Sequence, residues 1–357
     1  MKIFIVICLL IHSVGSADPF YLIAHMVNNR ASLDWALGQG ANAIENDFQF
    51  NSSGYPRLIE HGNPCDCICA ILPGHVCHHG LNMKCSGSGA SRNIVEHVED
   101  VANRSGIALY YIDSKLDREI GELAGVNVIA FLDVHLFARG YQGNVLISTT
   151  EIDNFDYIQS AVNAASNSAN RNRYYFTFDE EKGAYRDVIS MLSRLTNQRI
   201  YSTGSSACLP FIYTDALRAA VNGKVSGENG LTLVWTIDLE INMKNLINLG
   251  VNGIMTNRVG DLKQVVQSLG LTLATPSTPI STSTVNIPSK NECSCSYEDG
   301  GCVISYPAPP NKACKCTKIF VVCVGTVVSC DTSHSKCANP DLSKVSCQLG
   351  NGNCNGY

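Results

Sequence analysis

Three short segments near the start of the chain hold residue types with a spacing suited to cleaving a phosphoester. His25 lies in Leu22-Ile23-Ala24-His25-Met26-Val27-Asn28, Glu45 and Asp47 flank Asn46 in Ala43-Ile44-Glu45-Asn46-Asp47-Phe48, and His61 lies in Glu60-His61-Gly62-Asn63-Pro64-Cys65-Asp66-Cys67. Carboxylates two positions apart on a strand share a face, because strand side chains alternate with period 2. Hard oxygen ligands on one face suit Mg²⁺, which favours carboxylates and retained waters. Two imidazoles that titrate near neutrality supply a base for the attacking oxygen and an acid for the leaving one. Asp113 and Lys115, in Tyr110-Tyr111-Ile112-Asp113-Ser114-Lys115, repeat the two-residue spacing and add a third carboxylate and a cation.

Residues this far apart in the chain need a scaffold that returns them to one place. From about residue 18 to 271, short β-rich runs alternate with longer helical patterns. The runs are Phe20–His25, Ala43–Phe48, Ala108–Asp113, Asn144–Ser148, Tyr174–Phe178, Arg199–Thr203, Leu231–Thr236 and Gly253–Asn257; helical patterns include Ala31–Leu37, Asn93–Asn103, Tyr157–Ala165, Tyr185–Leu195 and Asn242–Leu249. Eight strand–helix units in about 250 residues predict an α/β protein with a (β/α)8 TIM barrel, with a doubly wound open sheet as the fallback. Val126–Leu136 reads either as a buried strand or as helix; a ninth strand would break the alternation, so Asp117–Ala138 is taken as mostly helix. In a barrel, active sites gather at the carboxyl ends of the strands. His25 ends the first run, Glu45 and Asp47 the second, Asp113 and Lys115 the third, Trp235 and Asp238 the seventh, and Asn257 the eighth. Asp133-Val134-His135 is rejected as a competing carboxylate site because it falls inside the expected helix and lacks the lysine. His75, His78, His79, His97 and His135 have no carboxylate at a suggestive spacing and are expected on the surface or in loops.

Residues 1–16 read as a secretory signal peptide: Lys2, an apolar run from Ile3 to Ile11, then Val14-Gly15-Ser16 before the cleavage point. The net charge of −5 gives no electrostatic case for nucleic acid. Beyond Cys8, the cysteines form two even groups: Cys65, Cys67, Cys69, Cys77, Cys85 and Cys208, then ten between Cys293 and Cys354. In an exported chain these predict disulfides in preference to zinc. The expected organisation is a barrel over 17–271, a Thr/Ser/Pro-rich extended linker over 272–290 and a ten-cysteine module over 291–357 held by bridges.

The segments Ala24-His25-Met26-Val27-Asn28, Ile44-Glu45-Asn46-Asp47, His61-Gly62-Asn63-Pro64-Cys65-Asp66-Cys67, Val234-Trp235-Thr236-Ile237-Asp238 and Gly253-Ile254-Met255-Thr256-Asn257, in this order, resemble the sphingomyelinase D/phospholipase D toxins of arachnids. That family is a branch of the glycerophosphodiester phosphodiesterase-like barrels. The resemblance runs from about Tyr21 to Asn257. It implies Mg²⁺ held by Glu45, Asp47 and Asp113, an acid/base pair formed by His25 and His61, and a substrate pocket lined by Lys115, Trp235, Asp238 and Asn257. It also implies a bridge between Cys67 and Cys208. The implied activity is a secreted, Mg²⁺-dependent phospholipase D releasing choline from sphingomyelin or lysophosphatidylcholine at membrane or lipoprotein surfaces, with the lipid's own hydroxyl attacking to give a cyclic phosphate. A water-using glycerophosphodiester phosphodiesterase is one alternative, and a non-catalytic module acting through the cysteine-rich tail is another. The chain departs from the family at Leu233, where an aromatic is common, and in its tail, which the venom toxins lack. Around Phe178-Asp179-Glu180 the match is poor, so Asp179 is only a candidate pocket residue.

Overall fold

The computed structural model describes residues 18–61, 91, 93–150, 152–180, 184–205 and 213–282, together with short strands in the tail. Two compact units divide the chain, Met1–Ser283 and Thr284–Tyr357. In the first unit the elements run β1 (Tyr21–Ala24), α1 (Arg30–Gln39), β2 (Ala43–Phe50), β3 (Pro56–Ile59), α2 (Ile94–Ala102), β4 (Leu109–Lys115), α3 (Gly121–His135), β5 (Asn144–Thr149) and α4 (Phe155–Ser166). They continue with β6 (Tyr174–Glu180), α5 (Tyr185–Ser193), β7 (Tyr201–Gly204), α6 (Thr214–Ser226), β8 (Thr232–Trp235), α7 (Glu240–Leu249), β9 (Gly253–Thr256) and α8 (Val259–Ser268).

Eight of these strands are parallel and follow the order β1-β9-β8-β7-β6-β5-β4-β2, and pairing of β1 with β2 closes them into a barrel. That closure excludes the open-sheet fallback. Each of the eight expected runs is one barrel strand. β3, which the strand–helix alternation did not announce, is a short antiparallel return from β2, with Phe48 opposite Ile59. The ambiguous Val126–Leu136 stretch is helical, with Val126 to His135 in α3 and Leu136 as its C-cap. Asp133 there accepts from the Tyr174 hydroxyl and from Ser168 and Asn170, so it serves the outer layer and not the site.

Strand alternation sorts side chains between two cores. Leu22 and Ala24 of β1 join the large cluster between barrel and helices, while Tyr21 and Ile23 join a smaller one inside the barrel with Leu109, Tyr111, Leu146, Leu233 and Met255. The α3 helix, apolar and long, packs against α4. Gly125 allows this, since a Cβ there would come within 2.4 Å of the Tyr157 carbonyl oxygen.

Residues 272–282, expected to begin an extended linker, belong instead to the barrel. Phe20 and Leu273 form a parallel bridge, the Asn42 side chain donates to the Ala274 carbonyl at 2.8 Å, and the Tyr175 hydroxyl donates to the Ile280 carbonyl at 2.9 Å. Ala274 and Ile280 are buried in the inner cluster at its amino-terminal end. Two apolar side chains amid Thr, Ser and Pro suffice to cap the open floor of a barrel, where unpaired apolar surface awaits cover.

The tail contains a two-stranded antiparallel pair, β10 (Cys295–Glu298) with β11 (Gly301–Ile304), and a four-stranded sheet of β12 (Cys314–Cys316), β13 (Val328–Cys330), β14 (Cys337–Ala338) and β15 (Cys354–Gly356). Cysteines occupy facing positions on its neighbouring strands: Cys314 opposite Cys330, Cys330 opposite Cys337, and Cys316 opposite Cys354.

Candidate active site

β2 sends Glu45 and Asp47 to the barrel mouth, and β4 places Asp113 directly beside Asp47. One oxygen from each of Glu45, Asp47 and Asp113 lies within 4.8 Å of the others, and among the described residues this is the one such cluster of metal-ligating side chains. Glu45 and Asp47 are each 1% exposed. Each carboxylate keeps one buried oxygen without a hydrogen bond: Oε1 of Glu45, Oδ1 of Asp47 and Oδ1 of Asp113. Lys115, two residues beyond Asp113 on the same face, lies 2.5 Å from Asp113 Oδ2 and 3.3 Å from Asp47 Oδ1.

Three carboxylates against one ammonium leave an excess of negative charge in a poorly hydrated place. Burial first, then the charges of Asp47 and Asp113, push Glu45 well above the usual carboxylate range. Burial pushes Asp47 the same way, but the Lys115 ammonium, the His61 imidazole, the Asn28 hydrogen bond and the His25 imidazole prevail and hold it below that range. Burial lowers Lys115, yet Asp113 and Asp47 outweigh it, so the ammonium is firmly charged. One oxygen from each of three carboxylates gathered this closely, all hard donors, fits a divalent cation such as Mg²⁺.

His25 follows β1, where its N–H bonds the Thr256 carbonyl at 3.1 Å. The next residue, Met26, lies in the left-handed region at φ 53°, and its N–H donates to Glu45 Oε2 at 2.6 Å. Nδ1 of His25 is 2.9 Å from the Asn257 side-chain oxygen. An amide oxygen only accepts, so this contact places the proton on Nδ1 and leaves Nε2 as the basic nitrogen. Asp238 grips Asn257 in turn, accepting its backbone N–H at 2.9 Å and its Nδ2 at 3.0 Å, and takes the Thr256 hydroxyl at 2.9 Å. Asp238, expected to line the substrate pocket, is thus hydrogen-bonded to Asn257, which contacts His25. His61 arrives on the strand return: Glu60 N–H bonds the Asp47 carbonyl at 2.9 Å, and Gln49 reaches the Glu60 carbonyl at 2.8 Å. The His25 and His61 rings stand 6.4 Å apart, edge to face.

Across the mouth, Trp235 ends β8, partly buried, and its Nε1 donates to Asp179 Oδ1 at 2.6 Å. Gly204 of β7 permits this approach, since a Cβ there would overlap the Trp235 carbonyl oxygen. Asp179 also accepts from the Tyr111 hydroxyl at 2.5 Å and from Ser148 at 3.4 Å. Burial, then the Asp113 charge, raises it to about 6 despite these donors.

Every sequence-predicted site residue among those described, from His25 and His61 through Glu45, Asp47, Asp113 and Lys115 to Trp235, Asp238 and Asn257, lies at this one rim. Cys67 and Cys208, like Cys65, Cys69, Cys77 and Cys85, fall outside the described residues, as do His75, His78 and His79. Asp179 earns a place at the rim; ending the β6 run was the signal for it. His97, expected on the surface or in a loop, is 3% exposed, because α2 turns it toward the outer face of β2.

The family model for dermonecrotic toxin SPH matches residues 16–274 of this chain. The chain belongs to that family. Two named members illustrate its range. A dermonecrotic toxin of Sicarius peruensis, SpeSicTox-betaIB2a, is 26% identical over 272 residues, covering 70% of this chain and 93% of its own. Dermonecrotic toxin Hl-PLD1 of Hemiscorpius lepturus is 26% identical over 266 residues, covering 70% and 78%. Among solved structures, a Silicibacter pomeroyi protein assigned as a glycerophosphoryl diester phosphodiesterase superposes with a TM-score of 0.51 at 11% identity, covering 72% of this chain and 96% of that one, which speaks for the shared barrel alone.

Proposed function

We propose that this chain is a secreted, Mg²⁺-dependent phospholipase D that releases choline from sphingomyelin and lysophosphatidylcholine at membrane or lipoprotein surfaces. One observation carries the reading: two imidazoles 6.4 Å apart stand beside three carboxylates whose oxygens gather within 4.8 Å. The substrate phosphate would lie between the rings. One imidazole takes the proton of the lipid's own hydroxyl as that oxygen bonds to phosphorus; the other protonates the choline oxygen as its bond to phosphorus breaks. The products are choline and a cyclic phosphate. Mg²⁺ held by Glu45, Asp47 and Asp113 would act as a Lewis acid on the phosphate oxygens. Lys115 adds a fixed positive charge beside them. Trp235, its indole tied to Asp179, would stack on the trimethylammonium group. The attacking hydroxyl belongs to the same molecule as the phosphate, which gives it a proximity advantage over water.

Export is supported by the apolar stretch ahead of residue 16 and by the toxin names of the relatives. The tail is read as a separate disulfide-bonded module, since cysteines face one another across its short strands, and Cys67–Cys208 as the long-range bridge that the family resemblance implies.

The test is product analysis with purified protein. Sphingomyelin should yield choline and a cyclic ceramide phosphate by phosphorus NMR, and His25→Ala and His61→Ala should each lose about 10²–10⁴-fold in rate. A linear monoester from the earliest time point would replace this reading with a water-using phosphodiesterase. Retention of rate in either histidine variant would break the paired acid/base assignment.

A further inference from the structure

Asn46 lies between the two β2 carboxylates and faces the opposite way, out of the barrel. Its side-chain oxygen is 3.2 Å from Nε2 of His97 on α2. Its amide nitrogen donates to the Val27 carbonyl, to the Glu45 carbonyl at 3.1 Å and toward the Asn28 side-chain oxygen at 3.5 Å. Asn28 then clasps Asp47 from both sides. Its Nδ2 donates to Asp47 Oδ2 at 2.6 Å, and its Oδ1 accepts the Asp47 backbone N–H at 3.1 Å. His97, Asn46, Asn28 and Asp47 are all buried, none more than 4% exposed. Ile94, His97, Val98 and Val101 form the inward stripe of α2, so the helix presents an imidazole where its period calls for an apolar side chain. A buried polar group costs stability unless it is hydrogen-bonded, and a leucine would fill the position without that cost.

We propose that His97 and Asn46 are positioning residues of the metal centre. Together they hold Asn28 and the Val27 carbonyl against the back of β2. Asn28 in turn fixes the Asp47 carboxylate with Oδ2 occupied and Oδ1 toward the ligand cluster. The same loop carries Met26, whose N–H secures Glu45, and His25 just before it. One outer network thereby sets two ligands and one imidazole without touching metal or substrate. Second partners of this kind commonly decide how tightly a metal is held.

The inference rests on the Mg²⁺ reading above, and titration calorimetry with Mg²⁺ alone separates the two. His97→Leu, which packs but cannot donate, should weaken Mg²⁺ binding about tenfold. His97→Gln, which keeps an N–H donor, should restore most of the affinity. Asn28→Ala, which strips Asp47 directly, should weaken it by up to about a hundredfold. Wild-type affinity in folded H97L overturns the relay and leaves the metal centre standing. A wild-type chain that takes up no Mg²⁺ overturns the metal reading and the relay with it. Should H97L fail to fold, Asn46→Ser cuts the same link; wild-type affinity in N46S then overturns the relay.

Discussion

A single buried carboxylate and a cluster of three face each other across the barrel mouth, and they are finished differently. On the β6–β8 side Asp179 has both oxygens engaged, by Trp235 on one and by Tyr111 and Ser148 on the other. On the β2–β4 side Glu45, Asp47 and Asp113 each keep an oxygen with no hydrogen bond, and Lys115 is the ammonium set among them. A carboxylate whose two oxygens the protein satisfies is a fixture of the pocket wall; three carboxylates that share one ammonium carry an excess of buried negative charge and could hold a further cation. Nearness to the rim does not separate ligand from lining, but the count of donors does.

The largest effect should come from breaking the unsatisfied group. Glu45→Gln or Asp113→Asn, or excess chelator on the wild-type chain, should drop choline release to background, with Mg²⁺ restoring only the chelated wild type. Asp179→Asn should leave Mg²⁺ affinity near wild type, measured by the same calorimetric titration. Equal loss of metal binding in D179N would erase the distinction between the two groups.

Next in size are two opposing pH effects, to be read by denaturant unfolding in chelator. Burial, against the pull of the Val27 carbonyl, lowers His97 to about 4 from an ordinary 6.5. The unfolded chain therefore binds the proton more readily, and stability falls as pH drops from 6.5 toward 4, by roughly 3 kcal/mol. Asp179 is raised from 3.8 to about 6, so here the folded form holds the proton, and stability falls as pH rises through that window, again by roughly 3 kcal/mol. The two offset each other in the wild type. H97L should lose less stability than wild type on acidification, and D179N should lose less as pH rises toward 6. Parallel curves for variant and wild type would contradict the burial of that group.

The smallest expected effect concerns the floor. Ile280→Ala should cost about 2 kcal/mol of barrel stability, as removal of a buried branched side chain does, with choline release unchanged at low temperature. A neutral I280A would return residues 272–282 to the status of a linker.

The barrel was legible because eight β-rich runs separated by helical periods leave few other ways to bury both strand faces, and because pairs such as Glu45/Asp47 and Asp113/Lys115 declare their shared face by spacing alone. His25, Trp235 and Asn257 could be placed at the rim by the rule that strand ends build the site, whereas His61 was marked by its residue type and by the family segment around it. Other features carried no local signal. β3 was hidden because Pro56–Ile59 is a short return off the edge of β2. The Thr/Pro stretch looked unable to pack because its two apolar anchors, Ala274 and Ile280, gain meaning only beneath an open barrel floor. The grip of Asp238 on Asn257 has no signal in the spacing, since the two are 19 residues apart and meet only where β8 and β9 pair. His97 looked peripheral because its partner, Asn46, is remote in sequence and close only once α2 lies on β2. Residue type and period determine which chemistry a chain can host and which way a strand faces. Which carboxylates are satisfied, and which are left for a metal, depends on donors from distant segments, and only the closed barrel brings those together.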